Sequence, residues 1–171
     1  QLFVNPVFAL ATGLAFVTGL LMFGALAFLP PYLQIAGGHS PTRAGLMLTP
    51  ILAGALVCST VTGRLVSRWG RYKAFPVAGM SCLCLGLALL WRLGPTTPYP
   101  AIAGPLVLIG SGVGLSTPVL FLAAQNAVPA RDVGAASATI TLFRAFGGAI
   151  GAAAFGALLV NRLGSSLHAL L

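Results

Sequence analysis

Acidic residues are almost absent: Asp132 is the one carboxylate in 171 residues. Paired carboxylates for general acid–base work are therefore impossible within this chain. No serine or cysteine has a base near it in sequence that suits nucleophilic catalysis, and no phosphate-cradling loop follows a strand. Hydrolysis, phosphoryl transfer and hydride transfer are unsupported, so neither an enzymatic activity nor a cofactor is expected. Charge of either sign is scarce too, at 6% of residues, where soluble domains carry roughly 25%. A surface that poor in charge cannot be kept wet, which excludes a soluble domain and places the chain in lipid. Cysteine is sparse and lies only inside apolar runs (Cys58, Cys82, Cys84). With no histidine or carboxylate near the 82/84 pair, these residues read as small hydrophobes rather than metal ligands, and no disulfide framework is implied.

What is present is 58% hydrophobic and falls into five long apolar runs, approximately 7–29, 43–65, 74–92, 101–124 and 134–160. The first provides about 34 Å of helix at 1.5 Å per residue, enough to cross a ~30 Å hydrocarbon core. An all-α integral membrane bundle of about five transmembrane helices, forming one domain over 1–171, is expected. Asn5-Pro6 and Ser40-Pro41 read as helix starts, with a capping side chain followed by proline in the first turn. Pro30-Pro31 reads as a stop, Thr49-Pro50 as a kink one third of the way into the second helix, and the proline-rich stretch 95–100 as a turn. Tyr32, Trp69, Tyr72, Trp91 and Tyr99 all stand at span ends, the distribution of an interfacial aromatic belt.

The basic residues set the orientation. Arg64, Arg68, Arg71 and Lys73 crowd the turn between the second and third spans, and such a cluster is retained on the cytoplasmic side. Arg131 then lies inside as well, while Arg43, Arg92 and Arg162 lie outside. The net charge of +8 is accounted for by this anchoring, so no nucleic-acid partner is expected. On this assignment residue 1 is cytoplasmic and residue 171 extracytoplasmic. The chain starts at Gln1 rather than methionine. That start and the odd number of spans lead us to expect a piece of a longer protein.

Glycine is frequent in the last two spans. Gly110, Gly112 and Gly114 precede Pro118, and Gly147, Gly148, Gly151 and Gly156 follow in the fifth. Small residues one turn apart let helix backbones approach closely in lipid, and a proline beside them adds a kink that packing does not require. Packing explains Gly156; for the 110–118 cluster packing and a flexing helix are both open. Arg144 is the one charge away from the ends of a span. Such residues usually face a bundle interior or a water-filled cavity, with a carbonyl, ligand, water or further segment as partner. Asp132 is placed to cap the fifth helix. His39, His168, Gln34, Gln125 and Asn126 lie in loops or near span ends, where hydration suffices.

The stretch from Gly63 to Lys73, GRLVSRWGRYK, resembles the G-x-x-x-D-R-x-G-R-[RK]-[RK] loop of the major facilitator superfamily, which joins the second and third helices of each half on the cytoplasmic side. Gly63, Arg68, Gly70, Arg71 and Lys73 match; Ser67 stands where the acidic residue is usual. The run Pro31-Tyr-Leu-Gln34, Gly38-His-Ser-Pro41, Ala44-Gly45, Pro50, the fourth-span G-x-G-x-G-x-x-x-P, and Gly134 through Arg144 to Gly151 together resemble the fourteen-helix drug:proton antiporters of that superfamily. The resemblance implies the ninth to thirteenth helices of a transporter in a bacterial inner membrane, part of its C-terminal half, with the N-terminal half of the same chain as partner. It implies exchange of protons for small lipophilic, often cationic, compounds by alternating access. Arg144 would then serve the cavity or coupling, with Phe16, Phe23 and Thr49 as further cavity candidates. Gly110, Gly112, Gly114 and Pro118 would form a gate helix, and the 63–73 loop a pivot. The alternatives are a facilitator for another small solute and a small non-transporting membrane scaffold subunit.

Overall fold

The computed structural model describes residues 5–38, 40–69, 74–92, 97 and 99–168. Helix α1 spans Pro6–Gly37, α2 Pro41–Leu46, α3 Thr49–Trp69, α4 Ala74–Trp91, α5 Tyr99–Asn126 and α6 Val133–His168, with a 3₁₀ turn at Ala130–Asp132 before the last. Five stretches are long and apolar enough to cross a membrane: Pro6–Pro31, Pro41–Arg68, Ala74–Trp91, Tyr99–Asn126 and Ala130–Ala157. Apolar side chains cover the outside of the bundle, with Leu56 70% and Val77 69% exposed. That is an inversion of the soluble pattern and suits lipid as the solvent. Trp91, the last residue of α4, is 90% exposed at a helix end.

Two expectations about proline are corrected. Pro30-Pro31 does not stop α1, which continues to Gly37. Proline deletes an N–H, but its fixed φ is that of a helix, and membrane helices accommodate the loss. Termination comes instead at Gly38, whose φ of 61° is left-handed and suits a residue without Cβ. Thr49-Pro50 does not kink a continuous helix; it follows a break between α2 and α3. Pro50 has no N–H to give the carbonyl of Leu46, and the Thr49 hydroxyl donates to that carbonyl at 2.6 Å. Across the break the bonds tighten to Leu48 N–H on Gly45 O at 3.1 Å and Ile51 N–H on Leu48 O at 3.0 Å. The Met47 carbonyl accepts from the Tyr99 hydroxyl at 3.3 Å, tying the start of α5 to this break.

Helix α5 is the centre of the bundle and contributes to all three buried clusters. Leu120, Ala123 and Ala124 pack with Phe8, Ala11 and Ala15 of α1 and Ala136 and Ile140 of α6. Ile102 and Leu106 pack with Ala44, Met47 and Ile51, and Ile109 and Val113 with Leu83 of α4. The glycines make these approaches possible. A Cβ on Gly110 or Gly114 would fall on the carbonyl oxygens of Ile51 and Ala55, and one on Gly112 would lie 2.6 Å from that of Gly79. The matched order of these contacts makes α5 parallel to α3. The pairing of Gly79 with Gly112 and Ser116, and of Gly86 with Pro105 and Ile109, makes it antiparallel to α4. Likewise Gly147 and Gly151 seat the carbonyls of Phe16 and Leu20, so α6 runs parallel to α1.

Asn5 closes one end. Its Oδ1 accepts from Val7 N–H at 3.0 Å, capping α1, while its Nδ2 donates to the carbonyl of Ala127 at 2.9 Å. The Gln125 amide donates to Ser137 Oγ at 3.1 Å. Gln125 is thus a tie between α5 and α6 rather than merely a hydrated residue. Asp132 immediately precedes α6 and pairs with its exposed neighbour Arg131 at 3.6 Å, a surface contact of little energetic weight.

Candidate functional site

Arg144 lies near the middle of the 130–157 span, about 18 Å along α6 from Asp132 at 1.5 Å per residue. Its side chain is half-buried. The reason it can reach inward is the closeness of its own backbone to α1: a Cβ on Gly19 would collide with the carbonyl of Arg144. Beside that seam, where α1, α5 and α6 meet, lies a small cleft with room for about one water, lined by Ala15, Thr18, Thr117, Leu120, Phe121, Ile140 and Arg144 and almost wholly apolar at its surface.

The polar groups are unequally satisfied. Thr18, 1% exposed, donates its hydroxyl proton to the Leu14 carbonyl at 2.8 Å. The Thr117 hydroxyl is buried and makes no hydrogen bond among the described residues. Arg144 Nη2 donates to the thioether of Met22 at 3.3 Å. A guanidinium offers five N–H donors, and a thioether is a weak acceptor. No carboxylate answers it, because the single one in the chain is at Asp132. A charge at mid-bilayer costs ~2.5–3.5 kcal/mol on insertion scales, and residues of this kind usually face a bundle interior or a water-filled cavity.

None of the other sequence candidates lines this cleft. Phe16 and Phe23 lie along the same α1–α6 seam, Phe16 half-buried with its carbonyl at Gly147 and Phe23 44% exposed with its ring against Gly148. Thr49 is not brought to the cleft; it is exposed at the start of α3, its hydroxyl engaged with Leu46. Gly110, Gly112 and Gly114 are buried at helix contacts, and Pro118 is half-buried next to Thr117. Gly63 and Arg68 are exposed near the end of α3, whereas Gly70, Arg71 and Lys73 lie outside the described residues. Sequence reasoning missed Thr18 and Thr117. A neutral hydroxyl within an apolar run carries no signal of its own, although the position of Thr117 directly before Pro118 marks an irregular point of the helix.

The helices and the mid-span arginine define a multi-pass membrane protein that holds a cation inside its bundle. Comparison with known proteins makes the class specific: residues 1–152 match the family model of the Major Facilitator Superfamily, and the chain belongs to that superfamily. It is 46% identical, over 98% of its length, to an uncharacterised MFS-type transporter of Mycobacterium tuberculosis, of which it covers 25%. It is 30% identical over 98% of its length to a tetracycline resistance determinant of Streptomyces rimosus, covering 49% of it. To the multidrug transporter protein MdtP of Bacillus subtilis it is 31% identical over 97% of its length, covering 30%. The chain thus spans between a quarter and a half of the length of these relatives.

Proposed function

We propose that these helices belong to the C-terminal half of a bacterial inner-membrane exporter that moves lipophilic, often cationic, compounds outward in exchange for protons. The observation that carries this reading is Arg144, held at mid-span in a cleft shared by α1, α5 and α6, with Met22 Sδ as its partner. Substrate sites of secondary transporters lie near the midplane at the interface between repeats, which is the depth of this cleft. The relatives, a tetracycline resistance determinant and a multidrug transporter, support drug-like substrates.

In this reading α5 is the moving element. Its two faces are set against α3 and α4 through glycines, where backbone meets backbone with fewer interlocking side chains than larger residues would give, which would favour sliding. Pro118 deletes the donor for the Gly114 carbonyl and gives the helix a place to bend near Thr117. The loop after α3 would act as the cytoplasmic pivot, and protons would be carried by carboxylates of the other half. Inside-out vesicles containing the full-length protein should accumulate ethidium when a proton gradient is imposed, and an uncoupler should abolish the uptake. Uptake no greater than in vesicles lacking the protein contradicts export.

A further inference from the structure

We propose that α1 and α6 form one locked unit and that the Tyr99 end of α5 swings away from it about a hinge at Thr117-Pro118. The swing opens the seam beside Arg144. It is a motion within one half, additional to any exchange of access between halves, and it follows from the packing rather than from the export reading.

The lock is visible along the α1–α6 seam. Backbone meets backbone at Gly19, Gly147 and Gly151, and two rings are also seated on glycines. A Cβ on Gly148 would lie 2.6 Å from the Phe23 ring, and one on Gly24 would lie 2.7 Å from that of Phe155. One ring comes from each helix, so neither helix slides along the other without lifting a ring out of its notch. The bond from Arg144 Nη2 to Met22 Sδ joins the same two helices.

The seam between this pair and α5 is fastened at one end. The hydrogen bonds of Asn5 to Ala127 and of Gln125 to Ser137 both cross there, and the fully buried Phe8, Ala124, Ala136 and Ile140 join all three helices. Beyond Thr18 and Thr117 the fastening weakens. Leu21 and Met22 pack only half-buried against Ile109 and Val113, Leu26 and Leu29 do the same against the cluster of Ile102 and Leu106, and α6 enters neither cluster. At the change from one regime to the other lie the cleft beside Arg144, the unpartnered Thr117 hydroxyl and Pro118, which leaves the Gly114 carbonyl without its amide donor. A helix bends most easily where its hydrogen-bond ladder is already interrupted, and an unfilled cleft at that point means that few contacts are lost on parting. A bend of about 20° at Pro118, carried over roughly 25 Å of helix to Ala101, moves that end by about 9 Å.

Electron–electron resonance distances in the full-length protein, in nanodiscs with and without ethidium, test both parts. In a background lacking Cys58, Cys82 and Cys84, cysteines carrying spin labels replace exposed residues. Ala27, Ala153 and Ala101 report the Tyr99 end of α5, and Leu10, Ala138 and Asn126 report its other end. Ala27→Cys with Ala153→Cys should give one narrow distance, as should the three pairs at the fastened end. Pairing Ala101→Cys with either Ala27→Cys or Ala153→Cys should give two populations, separated by up to about 9 Å for the bend described. Pro118→Ala, which restores the amide donor, should merge those two populations, and Phe155→Ala should split the distance between Ala27 and Ala153. A single narrow distance from Ala101 to both partners in both conditions would overturn the hinge. A spread between Ala27 and Ala153 as wide as those to Ala101 would overturn the locked unit. The predicted distances in a protein that takes up no ethidium would sink the export reading and leave this inference standing.

Discussion

Thr49 shows how a single hydroxyl can stand in for a missing amide. Pro50 deprives the Leu46 carbonyl of its backbone donor, and Thr49 Oγ1 supplies the bond at 2.6 Å. Thr49→Val should therefore leave that carbonyl unpaired away from water, at a cost of about 1–3 kcal/mol. The measurement is the thermal midpoint of the full-length protein in detergent; Thr49→Ser should recover it, and an unchanged midpoint for the valine variant would contradict the assignment. Asn5 performs two tasks with one amide, capping α1 and holding Ala127 at the end of α5. Asn5→Ala should cost about 1–2 kcal/mol by the loss of the cap alone, and Asn5→Asp, which keeps the cap but not the donor, should fall between alanine and wild type in the same assay.

At the scale of an element, α5 separates glycines that are needed for contact from those that are not. A Cβ at Gly110 would fall on the Ile51 carbonyl, while at Gly104 nothing lies within 4 Å. Gly110→Ala should thus destabilise by about 1–3 kcal/mol through overpacking, and Gly104→Ala should be neutral or slightly stabilising through helix propensity. Equal midpoints for the two variants would show that α5 and α3 are not in the contact described. The pair also bears on the gate. If flexing of the helix rather than its packing limits transport, Gly104→Ala should slow uptake without loss of stability. The same helix shows why proline is hard to read from sequence in a membrane. In water a Pro-Pro pair is a reliable stop, but α1 passes through Pro30-Pro31, and α5 contains Pro105 and Pro118. At Pro50 the Thr49 hydroxyl takes over the Leu46 carbonyl that the proline leaves without its amide donor.

For the whole molecule, the helical membrane architecture was legible because its signals are long and redundant. Charge-free runs, capped proline starts such as Asn5-Pro6 and interfacial aromatics such as Trp91 and Tyr99 all mark the same segments. The neighbours of each helix were not legible. Arg144 stood out as a charge in an apolar run, but Thr18 and Thr117 come to it from positions 126 and 27 residues away along the sequence. Only the packing of α1 and α5 reveals that they share a cleft. The orientation proposed from the basic residues makes its own prediction. In a background lacking Cys58, Cys82 and Cys84, an impermeant maleimide added to intact cells should label Arg92→Cys at the end of α4 and leave Ser67→Cys in α3 unlabelled. The reverse pattern would invert the topology.

The most direct test of the central claim is the rate of proton-driven ethidium uptake by Arg144→Ala in the full-length protein, normalised to its amount in the membrane. A residue that forms the transport cleft predicts a loss of about tenfold or more, the equivalent of roughly 1.4 kcal/mol in the barrier. Uptake equal to wild type at equal expression would contradict a transport role for Arg144 and for the cleft built around it.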